Sequence, residues 1–251
     1  MSGHSKWSSI KHKKGAADAK RGKLFSKLSR ALIVAAREGG GDPVANLALQ
    51  NAIEKARSYS MPKENIERAI AKGTGAGADA AAFEAIVYEG YGPSGVAVLV
   101  EALTDNRNRT ASEVRHIFAK HDGNLGTSGA VAWLFERRGV LLVSADGTDE
   151  DELTLAAAEG GADDVSPEGS SFQVVCAPEA LGPVRVAIEG AGIAIESVEV
   201  TMLPKTTVEV EDEAAAKKIL RLMDALEEDD DVQDVYSNFD IPERVLEAVA
   251  S

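Results

Sequence analysis

Charge divides this chain unevenly, and the division limits it to parts that face different surroundings. Residues 1–75 hold 15 Lys and Arg against 6 Asp and Glu, whereas residues 76–251 hold 12 against 35. A net charge of −14 therefore hides a basic head on an acidic body, an asymmetry that marks a nucleic-acid- or membrane-binding end joined to a solvated remainder. At 251 residues the chain exceeds what one small core organises, so two or three domains are expected. No apolar run approaches bilayer length and no charged-then-apolar leader opens the chain, so a cytoplasmic protein that does not enter a membrane is expected. Cys176 is the only cysteine, which excludes an internal disulfide or a zinc ribbon and reads as a small buried apolar residue.

Hydrophobic periodicity then supplies the elements. Ser2 to Gly15 is polar and lysine-rich and reads as a flexible or loosely docked arm. Leu24, Leu28, Ala31, Leu32 and Ala35 recur at helical spacing until Gly39-Gly40-Gly41. Asp42-Pro43 reads as the cap and first turn of a second helix carrying Val44, Leu47, Leu49, Ile53 and Ala56 inward. A third helix follows Pro62 and buries Ile66, Ala69 and Ile70. After the Gly/Ala-rich linker around 73–82, Ala85–Tyr88 and Val96–Leu103 read as strands, and Thr110 with Glu113 as a capping box that leaves Asp105 to Arg109 in a loop. From Gly139 to Met202 the order is βαββαβ, a ferredoxin-like series. Thr206–Val210, a helix with Ala215, Ile219, Leu222, Met223 and Leu226 inward, and Val232–Phe239 form a βαβ tail that needs a sheet to join. The expected fold class is α+β multidomain, an N-terminal three-helix bundle followed by two ferredoxin-like α+β domains, one inserted in the other. The expected domains are 1–75, 82–138 plus 204–245, and 139–203 as the insertion.

The densest chemistry lies at the start. Lys6, Lys11, Lys13, Lys14, Lys20, Arg21, Lys23, Lys27 and Arg30 are opposed only by Asp18. Each phosphate that such a cluster neutralises releases counterions, giving tight, salt-sensitive and largely sequence-independent binding. Trp7 among these cations either stacks on a base or pins the arm to the bundle, and His4 and His12 either touch phosphate or are solvated. Arg107 and Arg109 form a second candidate phosphate contact, the alternative being local caps and salt bridges. Tyr88 and Tyr91 flank a glycine turn and either stack on bases or pack. The run Glu227 to Asp231 reads as a solvated loop, or as a source of repulsion that orients docking.

Catalysis finds little to stand on. His116 and His121 fall on different helical faces, Cys176 has no histidine partner, and the abundant carboxylates form no ligand constellation for a two-metal nuclease. The glycine-rich segments match neither a Walker loop nor a dinucleotide fingerprint. A non-enzymatic protein without cofactor, metal or small-molecule substrate is expected. Its expected partner is nucleic acid, either ribosomal RNA in the ribosome or duplex DNA. An adaptor whose acidic body recruits a basic protein is the competing class.

Four segments, GHSKWSSIKHKK at Gly3–Lys14, SMPKENIERAIAKGTG at Ser60–Gly75, YEGYGPSG at Tyr88–Gly95 and GNLGTSGAVAWLF at Gly123–Phe135, closely resemble the YebC/PmpR family. That family includes the mitochondrial translational activator of cytochrome c oxidase subunit I. The resemblance implies a helical N-terminal domain and two α+β domains. It also implies a regulator of gene expression, either a DNA-binding transcriptional regulator or a ribosome-associated factor that helps synthesis through difficult stretches such as consecutive prolines. Lysine dominance and the lack of a dimer-spaced recognition helix favour a structured RNA surface over sequence-specific duplex DNA.

Overall fold

A computed structural model describes residues 18–75 and 83–250. Its first three helices are α1 (Asp18–Gly39), α2 (Leu47–Ser58) and α3 (Lys63–Gly73). They bury one apolar stripe each, with Leu28, Leu32, Ile33, Ala36, Leu49, Ile53, Met61 and Ile66 forming the shared core. Gly73 is required by close approach: a Cβ there would lie 2.5 Å from the Ile33 carbonyl oxygen, so α3 crosses α1 with backbone nearly against backbone.

The start of α2 differs from the sequence expectation. Asp42-Pro43 makes only a turn, its carboxylate accepting the Val44 N–H at 3.0 Å. The N-cap is the buried Asn46. Its Oδ1 accepts the Leu49 N–H at 3.1 Å, while its Nδ2 donates to the carbonyls of Ala35 and Gly40, both at 2.8 Å. One side chain thus satisfies orphan groups at the end of α1 and the beginning of α2, which a cap at Asp42 could not do. Val44 and Leu47, expected inside, are 92% and 67% exposed.

The next domain is built on a four-stranded sheet in the order β3-β1-β2-β9, antiparallel throughout. Its strands are β1 (Glu84–Tyr91), β2 (Ala97–Thr104), β3 (Asn124–Leu125) and β9 (Val232–Ser237). Helices α4 (Arg107–Lys120) and α7 (Glu213–Glu227) contribute Phe118, Ile219, Leu222, Met223 and Leu226, all fully buried. The chain meets these elements hairpin first, as ββαβ and later αβ, rather than in the βαββαβ order of the other α+β domain. Helix α4 also begins earlier than the Thr110–Glu113 box implies. Asn106 caps it, Oδ1 accepting the Arg109 N–H at 3.2 Å, so Arg107 to Arg109 form the first turn and not a loop. Thr110 is buried inside the helix, where its hydroxyl serves a tertiary partner rather than a helix end. In the tail, β8 (Val208–Glu209) does not join the sheet. It pairs in parallel with β10 (Phe239–Asp240) as a separate ribbon, and α8 (Glu243–Ala250) follows.

Trp133–Thr207 is a compact unit of its own. Its strands β4 (Phe135–Ser144), β5 (Ala162–Glu168), β6 (Ser171–Cys176) and β7 (Ile195–Pro204) form an antiparallel sheet in the order β5-β6-β4-β7, which is the ferredoxin-like arrangement. Helices α5 (Glu150–Gly160) and α6 (Leu181–Gly190) cross on it at Gly160, where a Cβ would lie 2.5 Å from the Val184 Cα. Leu141, Val143, Leu153, Phe172, Val174, Val184 and Ile188 are the core, with Cys176 among them. The protein is thus an α+β multidomain chain, a helical bundle followed by two α+β domains of which one is inserted in the other. No described helix is long and apolar enough to cross a membrane.

Candidate nucleic-acid interface

Of the residues singled out as nucleic-acid contacts, His4, Lys6, Trp7, Lys11, His12, Lys13 and Lys14 lie outside the described residues. Lys20 and Arg21 are in the first turns of α1. Lys23, Lys27 and Arg30 follow at helical spacing along one stripe of that helix, and the stripe meets the acidic segment Glu227–Asp231 at the end of α7. Lys23 Nζ donates to the Glu228 carbonyl at 3.3 Å and lies 3.6 Å from the Asp230 carboxylate. Lys27 donates to the Glu227 carbonyl, and Arg30 to the Asp230 carbonyl and, at 3.0 Å, to Asp231 Oδ1. Lys27 and Lys23 therefore cap carbonyls at the C-terminal end of α7, where the macrodipole favours positive charge, and Arg30 binds the turn just beyond it. The expectation of a solvated 227–231 loop is corrected: the segment is the seat on which the basic helix rests. Lys55 of α2 adds a further contact to Asp234 at 2.6 Å.

Asp231 is the centre of this seat and is only 4% exposed. Its Oδ2 accepts from Arg109 at 2.7 Å and lies 2.7 Å from the Thr110 hydroxyl and 3.1 Å from that of Thr104. Burial pushes the carboxyl pKa up, but Arg109 and the two hydroxyls more than offset it and hold it below the usual aspartate range. Arg109 also pairs with Asp105 at 2.9 Å, and these carboxylates push its own pKa further up. Arg109 is thus engaged within its own chain, while Arg107 is exposed at the helix start, its carbonyl 3.4 Å from the Tyr88 hydroxyl. Burial raises the Tyr88 pKa, Arg107 opposing it. Tyr91 is partly exposed and donates to the Ala130 carbonyl at 3.0 Å.

Carboxylates that the sequence left scattered converge here. Ligand oxygens of Glu113, Asp229 and Asp231 lie within 4.8 Å of one another. Burial and the nearby Asp229 push the Glu113 pKa up, against the pull of Arg109. Both Asp231 oxygens already accept from guanidinium donors, so this arrangement spends its charge on neutralising Arg30 and Arg109. Around it lies an open cavity of about 450 Å³ lined by Lys23, Arg30, Arg109, Glu113 and the 228–231 turn.

A second carboxylate was missed by sequence reasoning. Glu89 is 5% exposed, and its two oxygens accept the backbone N–H groups of Gly129, Val131 and Ala132, each at 2.7 Å. Burial raises its pKa and the three donors lower it further than that, leaving it below the usual range. The signal was available, since Glu89 interrupts a strand between aromatic and glycine residues, where an acid has no reason to be buried unless it is paired. Cys176 is fully buried, and burial pushes its thiol pKa up, the opposite of an activated nucleophile. His121, half-buried, has its pKa pushed down by burial and by Lys120 and Arg221.

A basic helical bundle seated on an α+β domain that carries a second α+β domain as an insertion defines a modular three-domain protein. Its sequence profile is shared: residues 5–76 match the "TACO1/YebC protein N-terminal domain", and residues 83–239 match the "TACO1/YebC second and third domain". The chain belongs to the TACO1/YebC family. It is 60% identical over 250 residues to a Rubrobacter xylanophilus protein named "Probable transcriptional regulatory protein", covering 100% of both chains. A protein of the same name from Syntrophobacter fumaroxidans is 55% identical over 250 residues, again with 100% of both covered. The crystal structure titled "Conserved Hypothetical Protein Aq1575 from Aquifex Aeolicus" is 53% identical with a TM-score of 0.78, the match covering 90% of this chain and 93% of that one.

Proposed function

We propose that this protein is a non-enzymatic, nucleic-acid-binding regulator of gene expression that works on the ribosome or its RNA and eases elongation through difficult stretches. The observation that carries the reading is the concentration of cations in the first 75 residues, 15 Lys and Arg against 6 acids, on a chain that is otherwise acidic. Such a surface tracks a phosphate backbone. Lys6, Lys11, Lys13, Lys14, Lys20 and Arg21 are its first contacts, with Trp7, His4 and His12 beside them and Arg107 as a more distant contact. The acidic remainder repels the polyanion elsewhere and so orients the encounter. Residence in the cytoplasm follows from that target.

The second reading, a DNA-binding transcriptional regulator, is favoured by the names of the relatives. The preference for RNA rests on lysine dominance and on α1, whose cationic stripe turns towards its own chain instead of standing out as a groove-reading helix. The test is the salt dependence of binding to ribosomes and to random duplex DNA, using the intact chain and its Lys11→Glu/Lys13→Glu/Lys14→Glu variant. Lysine-dependent ribosome binding that persists at physiological salt is the expected result. Salt-resistant DNA binding without ribosome affinity would replace this reading with the second one.

A further inference from the structure

The basic stripe of α1 is held by oxygens that resemble a phosphate backbone in chemistry: main-chain carbonyls of Glu227, Glu228 and Asp230 and the carboxylates of Asp230 and Asp231. We propose that the 227–231 turn is an internal mimic of nucleic-acid phosphate, a latch whose outer rungs, Lys23 and Lys27, are released to a nucleic-acid strand while the inner rung, Arg30 on Asp231, stays closed as the pivot. The inference rests on the nucleic-acid reading above.

The two kinds of rung differ physically. The Lys23 and Asp230 side chains are 58% and 68% exposed, so their pairing is solvent-screened and weak. The Arg30 and Asp231 side chains are 25% and 5% exposed, and Asp231 has further donors in Arg109, Thr104 and Thr110. Breaking that rung would leave a buried carboxylate short of a partner, so it stays shut. A phosphate strand brings a full charge to each of Lys23 and Lys27 and gains counterion release that the internal turn cannot offer. The turn is also a gate by repulsion. Glu113, Glu228, Asp229 and Asp230 line the cavity beside Lys23, so an anion approaching the stripe meets their field before it reaches the cations.

The test uses the full chain and a fluorescein-labelled single-stranded RNA of random sequence, with binding followed by anisotropy across a salt series. Glu228→Gln, Asp229→Asn and Asp230→Asn together keep shape and the main-chain carbonyls while removing three of the turn's five negative charges. Asp231 is left intact so that the pivot and the fold persist, which circular dichroism verifies. The expected result is an affinity about tenfold higher than that of the unaltered chain. The plot of log affinity against log salt steepens by about 1.4, two phosphates at about 0.7 each for a single strand. Adding Lys23→Gln and Lys27→Gln to the triple variant returns both values to those of the unaltered chain. Equal binding by the triple variant and the unaltered chain overturns the latch and leaves the nucleic-acid reading standing. A gain that survives loss of Lys23 and Lys27 also overturns it, because relief of general repulsion then accounts for the change. No binding by any variant at low salt overturns both readings.

Discussion

The two α+β domains share an architecture, four antiparallel strands and two helices, and each buries acid, Glu168 in the inserted one, yet Glu89 and Asp231 of the first and the run 149–152 of the second are used in opposite ways. In the domain built on β1, β2, β3 and β9, Glu89 and Asp231 are buried and each is surrounded by donors from a different stretch of chain. In the inserted domain, Asp149, Glu150, Asp151 and Glu152 stand exposed at the start of α5, where the helix macrodipole favours them. The buried acids act as tethers: Asp231 holds the helical bundle through Arg30, and Glu89 holds the 129–132 segment. The exposed acids set surface charge and hold little. A buried carboxylate specifies which segments meet, whereas an exposed one leaves that choice open.

The largest test of this contrast removes a tether. Asp231→Ala removes an acceptor shared by two guanidiniums and two threonine hydroxyls and is expected to cost about 2–3 kcal/mol, less than the loss from a fully buried pair because Arg30 keeps the Asp230 carbonyl and Arg109 keeps Asp105. The expected readout is a lower urea midpoint together with lost hydrogen-exchange protection in α1, while β4–β7 keep theirs. Asp149→Ala, the matching loss in the inserted domain, removes only the N-cap of α5 and is expected to cost about 1 kcal/mol.

Acid provides a gentler version. The folded pKa values of Glu89 and Asp231 are depressed below the ordinary values of glutamate and aspartate. Their stabilisation is therefore complete above the unfolded values and is lost as pH falls from those values through the folded ones. Titration from pH 5 downwards, followed by hydrogen exchange, is expected to open the contacts of α1 and of 129–132 before the β4–β7 sheet. Simultaneous loss would break the contrast.

The smallest effect has the opposite sign. Glu113 has a raised pKa, set first by burial and then by Asp229, so its charged form is disfavoured in the folded chain. Glu113→Gln is expected to raise stability slightly at pH 7, by a few tenths of a kcal/mol because the side chain is about half exposed, and to lose that gain as pH falls through the raised pKa.

Most of the secondary structure was legible because it is written in local patterns. Alternation along Phe172, Val174 and Cys176, glycine after α1, and the apolar stripe of α7 each specify an element without reference to distant residues. What was illegible depends on long-range partners. The α2 start passed from Asp42 to Asn46 because Asn46 reaches the end of α1, which no capping motif encodes. Thr110 reads as a helix cap by its spacing to Glu113, but Asp231, 121 residues further along the chain, draws it inside. In the same way β8 looks like a sheet strand by composition, yet β10 lies where it can pair and the sheet edge does not. The cation-rich start of the chain was plain, but the engagement of Lys23, Lys27, Arg30 and Arg109 by the chain's own acids was not. Those contacts span 122 to 205 residues.

That separation has a consequence in time. Arg30 and Asp231 are 201 positions apart, so the basic helix leaves a synthesising ribosome long before its seat exists. At roughly 5–20 residues per second, the interval is on the order of 10–40 s. Through that interval Lys23, Lys27 and Arg30 lack the acceptors that the 227–231 turn supplies in the folded chain, so the bundle has to form before the contacts that seat it, and only the end of translation brings them.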